Sequence, residues 1–381
     1  MATATTPKPH SLPHLRELDG MRGIAALLVF FHHLCSASIH PERDHWGPGV
    51  LALHNLFQYG TAGVDVFFVL SGFLITSLLI RDRESPAFYR DFYWKRALRI
   101  LPLYILCLLG VLLCIPHSGG SVLLSALFIA NFANVFHVQA TGPFWSLAIE
   151  EQFYLLWPTV VRRRSISTLG HWALAIAAGA VLLRFASAAV GHFNYYLTFL
   201  RCDGLAVGAL LACRFERRQR EHLRLSTDSL LFITALLVGI LLCAVPFALP
   251  SAANILAIAA AFRQTGITLI CGGIIGLLIA HTESRILAPL RSPGLTFFGL
   301  ISYALYMTHL YVLRVYEHLR GPLAAGDSRA YATRLLAVFA ITIAASLLSR
   351  YLVELPALSL RKRVLTRPAP EAETEIPLFT R

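Results

Sequence analysis

Arg22 and His33 lie eleven residues apart inside the first long apolar stretch, LDGMRGIAALLVFFHHLC. A helix turns about 100° per residue, so both side chains share one face, about 16 Å apart along the axis. Ionisable groups inside a membrane are costly and normally face a protein-lined cavity. The pair therefore predicts a functional site, with His33 as an acid–base group. His32 is predicted to point about 100° away from that face.

A second segment, FWSLAIEEQFYLLWP, places two adjacent carboxylates in an apolar helix. Helical spacing puts Glu150 on the face of Ser146 and turns Glu151 about 140° from it. A carboxylate near a helix N-terminus also complements the helix dipole without any further role. Because carboxylates are rare in membranes without a role, the pattern favours Glu150 as a functional residue.

The segment GVDVFFVLSGFLI carries Asp65 and Ser71 in an otherwise apolar run. Two roles are open for Asp65. It holds His33 in one tautomer, as carboxylates do in many acid–base sites, or it forms a structural ion pair with an arginine such as Arg201.

The segment YWKRALRILP presents Arg96 and Arg99 close to one face of a helix that enters the membrane. Guanidinium groups bind phosphate oxygens through two hydrogen bonds, so this pair suits a phosphate-bearing ligand. The opposing interpretation is that any cytoplasmic loop of a membrane protein is rich in arginine. The sequence leaves both interpretations open.

Two later segments add polar groups. RCDGLAVGALLA carries Arg201 and Asp203, which are predicted to form a pair, with a buried salt bridge as the structural interpretation. SYALYMTHLYV carries His309, and a lone histidine in a membrane span is by default a hydrogen-bonded packing residue.

The composition predicts an all-α, polytopic integral membrane bundle of about ten transmembrane helices. Hydrophobic residues make up 56% of the chain, charged residues 14%, and mean hydropathy is +0.62. Ten apolar runs approach the spanning length of about 20 residues, and a further run at 121–138 is expected to cross only in part. The ten runs are 20–38, 61–81, 99–115, 145–161, 171–190, 195–213, 229–249, 264–281, 294–316 and 331–353.

Basic clusters in the short connections indicate orientation, and the net charge of +12 is not attributed to a nucleic-acid ligand. Short loops rich in arginine and lysine stay cytoplasmic, which predicts a plasma-membrane protein with both termini inside. The assignment requires that 121–138 fails to cross, or that 162–164 lies outside. Residues 1–17 are expected to be a cytoplasmic segment without a signal peptide, 18–355 the membrane domain, and 356–381 a disordered cytoplasmic tail.

These groups together favour transmembrane group transfer. A histidine with a nearby carboxylate can deprotonate a hydroxyl group. Arg96 and Arg99, at the cytoplasmic end of the third predicted span, imply a phosphate-bearing donor such as acyl-CoA. The sequence contains no GxSxG, HExxH or Walker-type motif. Its seven cysteines lack metal-ligand spacing and are interpreted as packing residues, so no metal is expected.

The motifs, in order, resemble those of the membrane-bound acyltransferase-3 family across nearly the whole chain. The resemblance rests on LDGMRGIAALLVFFHH, GVDVFFVLSGFLI, KRALRILP, FWSLAIEEQFYLLWP, RCDGLAVGALL and SYALYMTHL. It implies acyl transfer, most often of acetyl from acyl-CoA, to hydroxyls of glycans, glycolipids or secondary metabolites. It also implies Arg22 and His33 as catalytic, Arg96 and Arg99 as donor-binding, and Glu150 as the carboxylate of the site.

The resulting hypothesis is a membrane O-acyltransferase in which acyl-CoA docks on Arg96 and Arg99. His33 then acts as general base or transient acyl carrier, with Glu150 or Asp65 orienting its ring. Expected partners are the lipid bilayer and a hydroxyl-bearing acceptor. The residues expected to support the site are Ser71, Ser146, Tyr154, Arg201, Asp203 and His309.

Two other functions are considered. A transporter or flippase of a glycan or lipid intermediate would use the same polar residues as a permeation site. A catalytically silent binder of acyl-CoA fits less well, because the histidine and carboxylate set is complete. Some members of the family carry a soluble hydrolase-like domain, and with only a short tail after residue 353 the membrane domain is expected to act alone.

Overall fold

The structure is a computed structural model of the 381-residue chain. It describes residues 15–39, 46–191, 194–249, 253–282, 284–321, 323–324 and 326–365. Regular secondary structure in these residues is entirely helical. Most of the predicted segment 1–17 lies outside the described residues.

Ten helices of at least 18 residues form the bundle within the described chain. Each contains an apolar run, and a helix satisfies the backbone of such a run internally in a bilayer. They are α1 (Arg16–Ser38), α3 (Ala62–Arg81), α4 (Phe88–Cys114), α6 (Phe144–Arg163), α7 (Ile166–Ala189), α9 (Asp203–Arg220), α10 (Ser229–Ala248), α11 (Ala253–Ala280), α12 (Pro293–Arg320) and α13 (Ser328–Ser349).

Short elements connect these helices. Four are α-helical: α2 (Pro48–Phe57), α5 (Gly119–Ala126), α8 (Thr198–Arg201) and α14 (Leu355–Leu365). Three 3₁₀ turns occur at Ala130–Phe132, Leu225–Asp228 and Arg285–Arg291, and a π-helical turn at Arg350–Glu354 leads into α14.

The ten long helices correspond one to one to the ten predicted apolar runs, which confirms the all-α membrane bundle. Eight segments of the described chain are long and apolar enough to cross a membrane. The remaining two long helices, α6 and α9, are not among these eight segments, although each matches a predicted apolar run.

The apolar run 121–138 does not form a spanning helix. It contains only the eight-residue α5 and a 3₁₀ turn, and eight residues rise about 12 Å, less than half of the hydrocarbon thickness. Without a crossing here, α4 and α6 are consecutive spans. The basic residues 162–164 then fall on the same side as the cluster at 81–99.

Two predicted boundaries were wrong. The span predicted over 195–213 is divided at Cys202 into α8 and α9. The tail predicted to be disordered from residue 356 begins as helix α14, which continues to Leu365. Residues 366–381 lie outside the described residues.

Close packing between α3 and α9 depends on glycine. A Cβ atom on Gly72 would lie 2.0 Å from the carbonyl oxygen of Leu205, and one on Gly208 would lie 2.1 Å from that of Val69. Small residues allow such backbone contact between membrane helices. This contact fixes α3, which carries Asp65 and Ser71, against the second half of the bundle.

Candidate functional site

A cavity of about 1000 Å³ lies between α1, α3, α4, α6 and α12. Apolar side chains such as Phe67 and Leu74 of α3 form part of its wall. The charged residues of the lining are concentrated on α1, α4 and the end of the chain after α13. The basic ones are Arg16, Arg22, Lys95, Arg96, Arg99 and Arg350, and the acidic ones are Asp19, Glu150 and Glu354.

Arg16 and Arg22 of α1 and Arg99 of α4 line this cavity and form no ion pair or hydrogen bond with the described residues. Arg22 is half-buried and Arg99 is exposed, and the two guanidinium groups repel each other. Two like charges held near each other are unfavourable, and a bound anion would relieve the repulsion. The cavity is therefore suited to an anionic ligand that would neutralise both groups.

Arg96, one turn before Arg99 on α4, is held by α6. Its Nη2 atom lies 3.6 Å from Oε2 of Glu150 and its Nε atom 3.8 Å from Oε1 of Glu151. Its guanidinium stacks 3.8 Å above the centre of the Tyr154 ring. Arg96 thus differs from Arg99 in having its charge partly neutralised by the protein.

Glu150 is fixed by two hydroxyl groups that the sequence placed in the supporting set. Ser71 of α3 donates to Oε1 at 3.2 Å, and Tyr154 donates to Oε2 at 3.0 Å. Glu150 lines the cavity together with Ser146, whereas Glu151 does not, as the helical spacing predicted. The carboxylate joins the arginine cluster and does not reach the histidine.

His33 lies near the other end of α1 and is not part of the cavity lining. Its Nδ1 atom is 3.0 Å from the carbonyl oxygen of Val29 and 3.1 Å from Nε2 of His309. The neighbouring His32 points to a different partner, the carbonyl oxygen of Phe57, at 3.0 Å.

The hypothesis that Glu150 or Asp65 orients the His33 ring is wrong. Glu150 bonds Ser71 and Tyr154, and Asp65 Oδ1 accepts from Arg201 Nη1 and from Gln264 Nε2, each at 2.8 Å. Both carboxylates are therefore engaged elsewhere. The side chain that contacts His33 is His309, which the sequence had assigned to packing.

Tyr306 contacts both the cavity and the histidine pair. Its hydroxyl lies 2.6 Å from that of Ser146 and lines the cavity, while its ring centre is 5.9 Å from that of His309. One side chain thus contacts both compartments. Sequence reasoning missed Tyr306, since an aromatic residue in a membrane span gives no distinct signal.

The predicted pair between Arg201 and Asp203 does not form. Arg201 pairs with Asp65 of α3, and Asp203 pairs with Arg184 of α7 at 2.6 Å. Arg201 ends α8 and Asp203 begins α9, so the two side chains belong to different helices. Arg184 was missed, although a charge inside the apolar run 171–190 was the available signal.

The two buried pairs form a network that also includes α11. Gln264 donates to Asp65, Thr268 donates to Asp203 at 3.0 Å, and Arg184 donates to Thr265 at 2.7 Å. The structural alternative for Asp65 and Arg201 is thereby favoured over a catalytic one. Among the described residues, no three His, Cys, Asp or Glu side chains are grouped closely enough to hold a metal ion.

Comparison with known proteins gives a consistent family. The sequence profile described as an acyltransferase domain, acyltransferase-3, matches residues 15–351. A protein of Staphylococcus aureus strain COL, provisionally named an O-acetyltransferase, is 26% identical over 339 residues, covering 80% of this chain and 52% of its own. Peptidoglycan O-acetyltransferase OatA of Listeria monocytogenes is 30% identical over 169 residues, covering 39% of this chain and 24% of its own.

The chain spans about half the length, or less, of these curated relatives. No solved structure matches it.

Proposed function

Because this chain belongs to the acyltransferase-3 family, we propose that it transfers an acyl group, in particular acetyl, from acyl-CoA to a hydroxyl group of an acceptor. The observation that carries the proposal is that two features lie next to each other in the bundle. One is an arginine-lined cavity in which Arg16, Arg22 and Arg99 form no ion pair with the described residues, and the other is a histidine pair whose His309 contacts Tyr306 of the cavity lining.

The cavity supports a donor that carries phosphate. Its volume of about 1000 Å³ is at the upper end of the roughly 300–1000 Å³ range of ligand pockets, which suits a large ligand. Arg22 and Arg99 offer unpaired guanidinium donors, which match phosphate oxygens in geometry and charge. The apolar wall formed by Phe67 and Leu74 suits the less polar pantetheine arm and its thioester.

His33 supports general base catalysis. Its imidazole removes the proton from the acceptor hydroxyl while the oxygen attacks the thioester carbonyl. The new C–O ester bond forms, the C–S bond breaks, and His33 returns the proton to the departing sulfur as the free thiol. The acyl-carrier route differs in having the imidazole attack first and the hydroxyl second.

The acceptor is proposed to be a glycan hydroxyl. Support comes from the name of the Listeria relative, which acts on peptidoglycan. A glycolipid or a small metabolite presents the same chemical group. In the predicted orientation His33 lies in the outer half of the membrane, so it would meet an acceptor that arrives from outside.

The test uses purified protein in liposomes with radiolabelled acetyl-CoA and isolated cell-wall glycan. His33→Ala is expected to lose transfer by at least about 100-fold, the lower end of the contribution of a general base. The matched control is His32→Ala, which removes the adjacent ring and should retain transfer. If His33→Ala transfers label like the parent protein, His33 is neither base nor carrier. If the parent protein moves glycan or lipid across the membrane and forms no labelled ester, the protein is a transporter.

A further inference from the structure

His309 of α12 is buried, with 2% of its surface exposed, and contacts His33 through one ring nitrogen. We infer that His309 is a positioning residue that fixes His33 as the Nδ1–H tautomer and leaves Nε2 of His33 as the base. The inference rests on the proposed function and adds to it a second histidine with a defined role.

The backbone of α12 determines the tautomer of His309. Its Nδ1 atom lies 2.7 Å from the carbonyl oxygen of Tyr306 and 3.2 Å from that of Leu305. Carbonyl oxygens only accept hydrogen bonds, so Nδ1 must carry the proton. In the neutral ring that burial favours, Nε2 of His309 then presents a lone pair.

That lone pair determines the tautomer of His33 in turn. The Nδ1 atom of His33 faces two acceptors, Nε2 of His309 at 3.1 Å and the carbonyl oxygen of Val29 at 3.0 Å. A proton on Nδ1 satisfies both acceptors, whereas the other tautomer would direct a lone pair at both of them. His33 is therefore held as Nδ1–H, and its Nε2 atom is the unprotonated nitrogen.

The free nitrogen is available for chemistry. Within the described residues, no side chain or backbone group forms a hydrogen bond with Nε2 of His33, and the ring is only partly buried. A carboxylate often holds a catalytic histidine in this way. Here a neutral imidazole accepts the same hydrogen bond, so the tautomer is fixed without a buried negative charge.

Packing keeps His309 in place. Its ring lies 6.3 Å from that of Phe30 and 5.9 Å from that of Tyr306, measured between centres. Phe30 belongs to α1, three residues before His33, so the contact between α1 and α12 and the hydrogen bond between the histidines depend on each other. The backbone carbonyl of Tyr306 holds Nδ1 of His309 while its hydroxyl bonds Ser146. Tyr306 therefore links the histidine pair to the cavity.

Two substitutions separate acceptor chemistry from packing. His309→Gln places an amide oxygen near the position of Nε2 and retains the acceptor, whereas His309→Leu fills similar space without one. We expect His309→Leu to lower kcat by about 10-fold to 100-fold, part of the contribution expected of a general base. His309→Gln should stay within about 5-fold of the parent protein in kcat, and the donor KM should stay within about 3-fold for both variants, because the substitutions leave the cavity intact.

A spectroscopic measurement tests the tautomer without any substitution at His309. In protein labelled with ¹⁵N-histidine, the His33 signals are identified by their loss in His33→Ala. The expected pattern is a protonated Nδ1 and an unprotonated Nε2. A spectrum with the proton on Nε2 of His33 would overturn the inference even if both His309 variants failed to fold.

The outcomes distinguish the inference from the proposed function. An inactive His33→Ala together with a fully active His309→Leu leaves the proposed function standing and rejects the role of His309. Equal loss in His309→Leu and His309→Gln, at unchanged membrane insertion and thermal stability, rejects it as well, because the acceptor would then be irrelevant. Full activity of His33→Ala rejects the proposed function itself.

Discussion

Arg99, like Arg16 and Arg22, is a guanidinium group of the cavity lining that forms no ion pair or hydrogen bond with the described part of the chain. We predict that Arg99→Gln weakens coenzyme A binding by about 10-fold, as expected for the loss of a charge-assisted hydrogen bond. Binding of pantetheine, which lacks phosphate groups, should not change. Isothermal titration with both ligands measures the difference.

The matched control for Arg99 is Arg90→Gln on the same helix. The Arg90 side chain is 66% exposed, pairs with Asp91, and lies outside the cavity. It should bind coenzyme A like the parent protein. An equal loss of coenzyme A and pantetheine binding in Arg99→Gln would contradict a phosphate contact.

Substitution of Arg201 tests how much the buried ion-pair network contributes to the free energy of unfolding. Arg201→Ala leaves Asp65 without its ion pair and should lower the free energy of unfolding by about 3–5 kcal/mol. Arg217→Ala on the following helix is the control, because its pair with Glu221 is exposed and such pairs contribute about 0.3–0.5 kcal/mol. Thermal unfolding in detergent measures both. A similar, small shift for the two variants would show that the buried pair contributes little.

Helical spacing identified residues but could not pair them across helices. Arg22, Arg99 and Glu150 were found because charge inside an apolar run is costly. A period of 3.6 residues gives the face of one helix and says nothing about which other helix covers it. For that reason the sequence left two partners open for Arg201, the nearby Asp203 and the distant Asp65, and the structure selects Asp65.

At the scale of elements, the contact between α3 and α9 allows a steric test. Gly72→Ala would place Cβ 2.0 Å from the carbonyl oxygen of Leu205, backbone that cannot move easily. We expect a loss of several degrees in melting temperature and lower yield of inserted protein.

Gly110→Ala on α4 is the control for Gly72→Ala, since a Cβ there meets open space within the described structure. It should be neutral or raise the free energy of unfolding by about 0.5–1 kcal/mol, the usual difference between glycine and alanine within a helix. If both alanine variants unfold alike, the close contact between α3 and α9 does not limit stability.

The ten long helices were predictable because their apolar length is set by the bilayer. The segment 121–138 was ambiguous, because its hydropathy resembles that of a span. Asn131 explains the difference: it donates to Thr198 at 2.8 Å and accepts from Gln152 at 2.9 Å. These partners lie on other elements, and such long-range satisfaction of a polar side chain is not visible in local sequence.

At the scale of the whole molecule, the absence of a spanning helix in 121–138 predicts a topology. With the basic loops in the cytoplasm, a cysteine at Tyr59 or Phe136 should face outside, and one at Arg164 or Glu221 should face inside. Labelling with a membrane-impermeant maleimide in intact cells measures this, with exposed Cys114 changed to serine as background.

Labelling of Phe136→Cys in intact cells, with Arg164→Cys labelled only after permeabilisation, would place one crossing between them. Labelling of both variants in intact cells would contradict the orientation. The cytoplasmic position of both termini stays a prediction until that experiment.

The pair between Asp65 and Arg201 joins residues that are 136 positions apart. At a synthesis rate of about 5–20 residues per second, Asp65 leaves the ribosome on the order of ten seconds before Arg201 does. During that interval Arg201 is not available to form the ion pair with Asp65. We expect the nascent chain to keep Asp65 in contact with water, the insertion machinery or another polar group until α8 is synthesised, so that loss of Arg201 lowers the yield of inserted protein.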